Sequence, residues 1–399
     1  MKSEGTSLLG NGLLWFGAAI SIAEILTGTF IAPLGFVKGS IAILLGHLIG
    51  CALLYFAGLI GGITGKSAME TVRISFGRKG ALLFSALNVL QLVGWTAVMI
   101  ISGARAVNIV AGSLFGARGE MIWCLIIGAL IILWLLIGMK NLSKVNIFAV
   151  GALFVLTVVL STVVFKNGTA GPGTVEGTMS FGTAVELSAA MPLSWLPLIS
   201  DYVKRARQPK AATLVSSIAY FAGSCWMYII GLGAAIFAGE SDIAKIMLQA
   251  GMGFIGIYVI IAATVTTTFL DAFSAGVSFR TITSKPDEKW IAVIITIIGI
   301  FMAMFTPIEQ YENFLFLIGS VFAPMIAILV TDFFIIRKDH TRKNFNISNL
   351  ILWAAGFAVY RMFLTTDTVL GSTLPVMIAI SFLCILVNGG RRIVQKIFR

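Results

Sequence analysis

Charge is what this chain has least of. Lys, Arg, Asp and Glu make up 11% of its 399 residues, against roughly 25% in soluble domains, and 58% of the chain is hydrophobic. That excludes an ordinary soluble fold and points to an integral membrane protein. Acids are the scarcer sign, 17 against 28 Lys and Arg. No Asp-rich magnesium cluster for prenyl transfer is present, and no Gly-x-Gly-Asp setting for intramembrane proteolysis. No enzyme, no catalytic residue and no cofactor is therefore expected. Cys51, Cys124, Cys225 and Cys384 stand in apolar runs without metal or redox spacing and read as packing residues. The first apolar stretch is too long for a signal-peptide core and lacks a small-x-small cleavage pattern, so it is expected to be retained.

What is abundant is long hydrophobic runs and glycine, 42 in all, and small residues let membrane helices approach closely. Each crossing needs about 20 mainly apolar residues. Twelve spans fit, near 13–37, 40–63, 81–112, 120–139, 144–165, 180–203, 211–238, 251–282, 290–306, 313–336, 348–365 and 370–389. The connecting loops then alternate in charge. One side holds 22 of the 28 basic residues, and the other, with its span ends, only Lys38, Arg105, Arg118, Lys166, Lys245 and Arg361. The positive-inside rule places both termini in the cytoplasm. It also explains the net charge of +11 without a nucleic-acid partner. The inner connector "GKSAMETVRISFG" (Gly65–Gly77) reads either as a short amphipathic helix or as a solvated link.

Two spans contain helix breakers: Thr27-Gly28 and Pro33 in the first, Pro192 and Pro197 in the sixth. Proline removes a backbone donor, and carbonyls freed in lipid must find protein, water or an ion. The first and sixth spans start about 170 residues apart, as do the third and eighth. Matched interruptions in two five-helix halves indicate inverted repeats with a site at the midplane. The expected units are residues 1–170, 171–340 and a two-helix addition at 341–399.

Polar groups inside the spans carry the functional reading. A central carboxylate costs about 2.5–3.5 kcal/mol on insertion scales, so Glu24 needs a partner or a task. Asp271 follows hydroxyls at Thr264, Thr266, Thr267 and Thr268. Those hydroxyls either bond back to their own helix or offer hard oxygens to a cation. Asn88, Gln91 and Trp95 recur on one helical face: an aromatic plate beside amides suits a flat heterocycle, or polar helix packing. Asp201 and Asp332 precede "VKRAR" and "FFIIRK" and are expected to pair there. Glu186, near an outer span end, is expected to meet solvent. His47 reads as a hydrogen-bonded packing residue.

"ISFGRKGALLFSALNVLQLVGWTAVM", "SDYVKRAR" and "VTDFFIIRK" resemble segments of the nucleobase:cation symporter-1 family, the cytosine permease-like transporters. "SWLPLISDYVKRA" and "TTTFLDAFSAGVS" look most like its CytX branch of hydroxymethylpyrimidine transporters. The resemblance implies an all-α, LeuT-like fold of five plus five inverted helices, with helices 1 and 6 discontinuous and two extra helices. It implies that Trp95 stacks on the substrate and that Ser194 and Trp195 face it. It implies sodium held by carbonyls at the helix-one break, Ala23 and Leu26, and by Thr266 and Thr267, or Thr267 and Thr268. Three departures imply a rebuilt pocket: Phe269-Leu270-Asp271 where relatives carry asparagines, glutamine four residues before tryptophan instead of three, and Glu24.

The expected function is import of a planar nitrogen heterocycle, hydroxymethylpyrimidine or a related thiamine precursor, by sodium symport. Asn88, Gln91, Glu24 and Asp271 join Trp95, Ser194 and Trp195 as expected substrate contacts. The alternative is a proton-coupled permease for a nucleobase such as cytosine or for another vitamin precursor. The expected setting is the inner cell membrane, with the protein a monomer whose only partners are a heterocyclic solute and the lipid bilayer.

Overall fold

A computed structural model describes residues 5–116, 118–166, 177–238, 253–283, 285–305, 311–366 and 368–389, with 242, 244, 245 and 248; for 139–150, 153 and 156 it describes the backbone alone. Lys2, Lys140, Lys144, Arg391, Arg392, Lys396 and Arg399, which count toward the expected orientation, lie outside the described side chains. The described fold is helical. Its elements are α1 (Leu8–Ala19), α2 (Ile22–Phe30), α3 (Phe36–Thr64), α4 (Ala68–Phe115), α5 (Glu120–Ile137), α6 (Met139–Lys166) and α7 (Phe181–Ser194). There follow α8 (Ile199–Val203), α9 (Pro209–Gly233), α10 (Gly253–Ile282), α11 (Glu288–Phe305), α12 (Tyr311–Val330), α13 (Ile347–Phe363) and α14 (Thr373–Asn388). Among the described residues, seven helices are long and apolar enough to cross a bilayer, eight when α1 and α2 count as one bent span.

The first span is broken, but not where its glycine and proline suggested. The chain bends by 51° between α1 and α2, at Ile20–Ser21. Ser21 is extended and its hydroxyl accepts the Glu24 N–H at 3.3 Å. That N–H would otherwise close a turn on the Ile20 carbonyl, while the Ile20 and Ser21 N–H groups fold back on Gly17 and Ala19. The carbonyls of Ala18 and Ile20 therefore lose their helical donors. Gly28 serves packing instead: a Cβ there would lie 2.2 Å from the Tyr228 carbonyl, and one on Gly231 would lie 2.0 Å from that of Ile25. Backbone meets backbone between α2 and α9. Pro33 sits in a single 3-10 turn, Ala32–Leu34, after α2 has ended.

The sixth span breaks as its prolines predict. α7 carries Pro192 in its last turn, and Trp195–Leu198 turn irregularly before α8. The inner connector takes the helical one of its two expected forms. Glu70 accepts the Ser67 N–H at 2.7 Å to start α4, and Gly77, at φ +79° and ψ 173°, interrupts the helical backbone and separates this connector helix from the span that follows. A side chain there would lie 2.8 Å from the Lys343 carbonyl, and Arg78 and Lys79 donate to Lys343 and Asn344. At the same end Thr6 pairs with Ala206 in a parallel bridge, its N–H on the Arg205 carbonyl at 3.2 Å. The core sits where α4 packs on α10, α3 on α7, and α1, α2 and α3 on α9.

Candidate functional site

The break in the sixth span frees carbonyls in a buried place, and α4 supplies what they need. Asn88 donates to the Pro197 carbonyl at 3.2 Å and to Ser278 Oγ at 2.7 Å. Gln91 donates to the Ser194 carbonyl at 3.1 Å and to Asn88 Oδ1 at 2.8 Å. Asn88 has no hydrogen left to offer a ligand, and Gln91 retains only its oxygen. Ser194 Oγ is turned back onto the Met191 carbonyl.

Four groups nearby are left unsatisfied. Gln91 Oε1, Trp95 Nε1 and Thr267 Oγ1 are buried without a partner among the described residues. Asp271 is 3% exposed, and its carboxylate has no hydrogen-bond partner among the described residues. Gln91 and Trp95 lie one turn apart on α4, as Thr267 and Asp271 do on α10. The helices run antiparallel, with Asn88 on Ser278 and Gly103 against Thr264, so Trp95 and Asp271 sit at about the same depth. A buried polar group without a partner costs about 1–3 kcal/mol. These four lie on two facing helices.

Trp95 is roofed by aromatics from α12: Tyr311 at 5.9 Å and Phe314 at 5.6 Å between ring centroids, both edge-on. Tyr311 OH lies 3.2 Å from Thr27 Oγ1, tying that roof to α2. Trp195 is enclosed differently. Its N–H donates to Tyr220 OH at 2.9 Å and its ring meets Trp15 edge-on.

Glu24 has partners. Tyr220 donates to one carboxylate oxygen at 2.7 Å and Ser224 to the other at 2.6 Å. His47 Nε2 lies 2.6 Å from Ser224 Oγ and its Nδ1 2.9 Å from the Ile43 carbonyl, as a packing histidine should. The network His47–Ser224–Glu24–Tyr220–Trp195 thus links α3, α9, the second half of the first span and the sixth-span break. Tyr220, Ser224 and Tyr228 share one face of α9 at four-residue spacing, a polar stripe that was readable in the sequence.

The hydroxyl run divides. Thr266 bonds back to the Ala262 and Ala263 carbonyls and Thr268 to that of Thr264, leaving Thr267 available. Ala23 and Leu26 are not at the break. Both lie inside α2, and their carbonyls accept the hydroxyls of Thr27 at 2.8 Å and Thr29 at 2.7 Å. The carbonyls without helical donors are those of Ala18 and Ile20, and both α1 and α2 touch α10. Among the described residues no group of three His, Cys, Asp or Glu converges as a metal site would require.

Residues 10–384 match the family of permeases for cytosine/purines, uracil, thiamine and allantoin. The chain belongs to this permease family. It is a membrane transporter, not an enzyme. It is 27% identical to cytosine permease of Escherichia coli K12 over 356 residues, 87% of this chain and 81% of that one. It is 22% identical to hydantoin permease of Microbacterium maritypicum, across 82% of this chain and 72% of the relative. Among solved structures it is similar in fold to Mhp1, a nucleobase-cation-symport-1 family transporter held closed with bromovinylhydantoin. That TM-score is 0.81 at 20% identity, over 99% of this chain and 94% of Mhp1. A sodium-coupled sialic acid symporter follows at TM-score 0.69 and 13% identity, over 98% and 90%.

Three acids of this permease hold helices together, contrary to the local roles expected of them. Asp201 accepts the Ala68 N–H at 2.9 Å and so caps α4, while its neighbour Lys204 approaches Glu70 at 3.9 Å. Asp332 accepts Asn349 of α13 at 2.8 Å. Glu186 is buried, not solvated. It accepts Tyr360 and Thr373 hydroxyls and the N–H groups of Ser372 and Thr373 at 2.6 and 2.7 Å. Carboxylates at a helix N-terminus are favoured electrostatically, so Glu186 docks α14 onto α7. Glu186→Ala strips four donors of their acceptor. It is expected to cost about 3 kcal/mol, read as a lower thermal midpoint, with uptake per folded molecule unchanged.

Proposed function

We propose that this permease imports an aminopyrimidine, hydroxymethylpyrimidine or cytosine, together with a sodium ion. The observation that carries the reading is the convergence of unpartnered groups. Gln91 Oε1 only accepts, the Asp271 carboxyl brings a further acceptor oxygen, Trp95 N–H only donates, and the Thr267 hydroxyl does either. A site with acceptors at its edge suits a ring that brings donors. Cytosine adds an amino group to its ring N–H, and hydroxymethylpyrimidine joins an amino group to a hydroxyl, where uracil offers only its ring N–H groups. Trp95 supplies the stacking face. Asn88 and Glu24 support the site from behind, and Ser194 and Trp195 form its wall at the sixth-span break.

Sodium is assigned to the carbonyls of Ala18 and Ile20 with the hydroxyls of Thr267 and Thr266, all hard oxygen ligands. Reading α1 with α2 and α7 with α8 as single spans gives twelve in all, arranged as two inverted sets of five plus α13 and α14. The protein acts as a monomer in the inner cell membrane with both termini cytoplasmic. Support for sodium comes from the neutral ligand set and from the coupling ion of the sialic acid symporter. By linkage, a cation that favours substrate binding is itself bound more tightly when substrate is present.

Thermal unfolding of the purified protein against pyrimidines, purines, hydantoins and thiamine precursors, with sodium present or replaced at fixed pH, tests this. Ligands that bind only the folded state raise its midpoint. An aminopyrimidine is expected to stabilise, and sodium to increase the shift. A shift that follows pH and ignores sodium moves the coupling to protons. Stabilisation by purines or hydantoins alone moves the substrate.

A further inference from the structure

A carboxamide presents a donor on one side and an acceptor on the other, and a half-turn exchanges them. In this permease neither amide on α4 is free to make that half-turn. Asn88 Nδ2 donates to the Pro197 carbonyl, a backbone group that only accepts. Turning Asn88 over would set oxygen against oxygen there and set its nitrogen against the nitrogen of Gln91. Gln91 Nε2 uses both hydrogens, on Asn88 Oδ1 and on the Ser194 carbonyl. Turning Gln91 over would oppose its oxygen to both acceptors at once. The polarity is imposed by the carbonyls of the sixth-span break, passes through Asn88, and ends at Gln91 Oε1. That atom is buried, without a protein partner, and able only to accept.

We propose that Asn88, backed by Ser278, is a positioning residue that holds Gln91 as an obligate acceptor, so that the site selects substrates offering an N–H at that point. The proposal rests on the reading of Gln91 and Trp95 as lining the substrate site. Asn88 acts through Gln91, because both its hydrogens are taken by Pro197 and Ser278 and its oxygen already accepts from Gln91. Its effect is on choice rather than on binding as such. A substrate that meets Gln91 with a carbonyl oxygen or a bare ring nitrogen leaves that buried acceptor unpaired and facing a second acceptor. Sites built around a hydrogen bond reject such analogues far more strongly than apolar pockets reject a change of size.

The test compares an aminopyrimidine with the pyrimidinone in which oxygen replaces the amino group, by competition binding to the full-length protein. Wild type is expected to prefer the amine by about a hundredfold. In Asn88→Ala only the Ser194 carbonyl still opposes a turned-over Gln91 amide, so the lock is weakened and that ratio is expected to fall by about tenfold, the pyrimidinone gaining in affinity. Ser278→Ala, which leaves the Pro197 contact, is expected to fall between the two. A merely structural role for Asn88 lowers both affinities together and leaves the ratio unchanged, which would overturn the proposal.

A ligand-free measurement separates the lock from the site. With nitrogen-15-labelled glutamine, assigned through Gln91→Leu, the Gln91 side-chain amide is expected to be protected from exchange in wild type and exposed in Asn88→Ala. An unprotected wild-type amide with heterocycle binding intact rejects the lock alone. A protected amide with no heterocycle bound by wild type rejects the site reading, and the proposed selection with it.

Discussion

Trp95→Ala is expected to lower affinity for the transported ring by about 5- to 150-fold, because an aromatic–base stack is worth about 1–3 kcal/mol. The indole does two things here, and they separate. Its face supplies the stack, while its N–H, buried without a partner, supplies one hydrogen bond. Trp95→Phe keeps an aromatic plate and removes the N–H, so its expected loss is nearer tenfold. Alanine also strips packing from Tyr311 and Phe314, and large-to-small core changes of this kind cost about 3–5 kcal/mol. Binding must therefore be measured on the folded fraction, with the thermal midpoint recorded alongside. Equal affinity in wild type and Trp95→Ala would remove Trp95 from the site.

Asp271→Asn is expected to move stability and function in opposite directions. A buried carboxylate with no hydrogen bond destabilises the protein that carries it, and the amide that replaces it has the same shape and no charge. The ligand-free midpoint should rise. Affinity for an aminopyrimidine should fall about tenfold or more, with the loss of a charged acceptor worth about 1.5–3 kcal/mol. Such opposed signs are the mark of a residue kept for function at the expense of the fold. A midpoint that falls instead would mean that Asp271 has a structural partner, and its assignment to the substrate would have to be abandoned.

The two interrupted spans were legible from local chemistry, and the position of the first interruption was misjudged for an instructive reason. Glycine and proline drew attention to Thr27–Pro33. The decisive signal was Ser21-x-x-Glu24, the serine-then-acid spacing that begins helices, lying inside a run too apolar to look like a helix start. Ser21 does cap α2, but Glu24 does not return the bond; it goes to Tyr220 and Ser224 of α9. No spacing rule links residues some 200 positions apart. The same limit hid Glu186, whose donors come from α13 and α14, and hid the Pro197 carbonyl and Ser278 hydroxyl that take both hydrogens of Asn88. Trp95, Gln91, Thr267 and Asp271 stood out as candidates because their periodicity is local. Which of their atoms remained free depended on the neighbouring helices.

The glycine contact between α2 and α9 has a mechanical consequence. With Gly28 set against Tyr228 and Gly231 against Ile25 at distances that would not admit a methyl group, the two helices have no clearance to slide past one another. Any swing about the bend at Ile20–Ser21 must carry both as one plank. Glu24, bolted to Tyr220 and Ser224 inside that plank, travels with it, while its link to the sixth-span break through Trp195 is the joint that has to give.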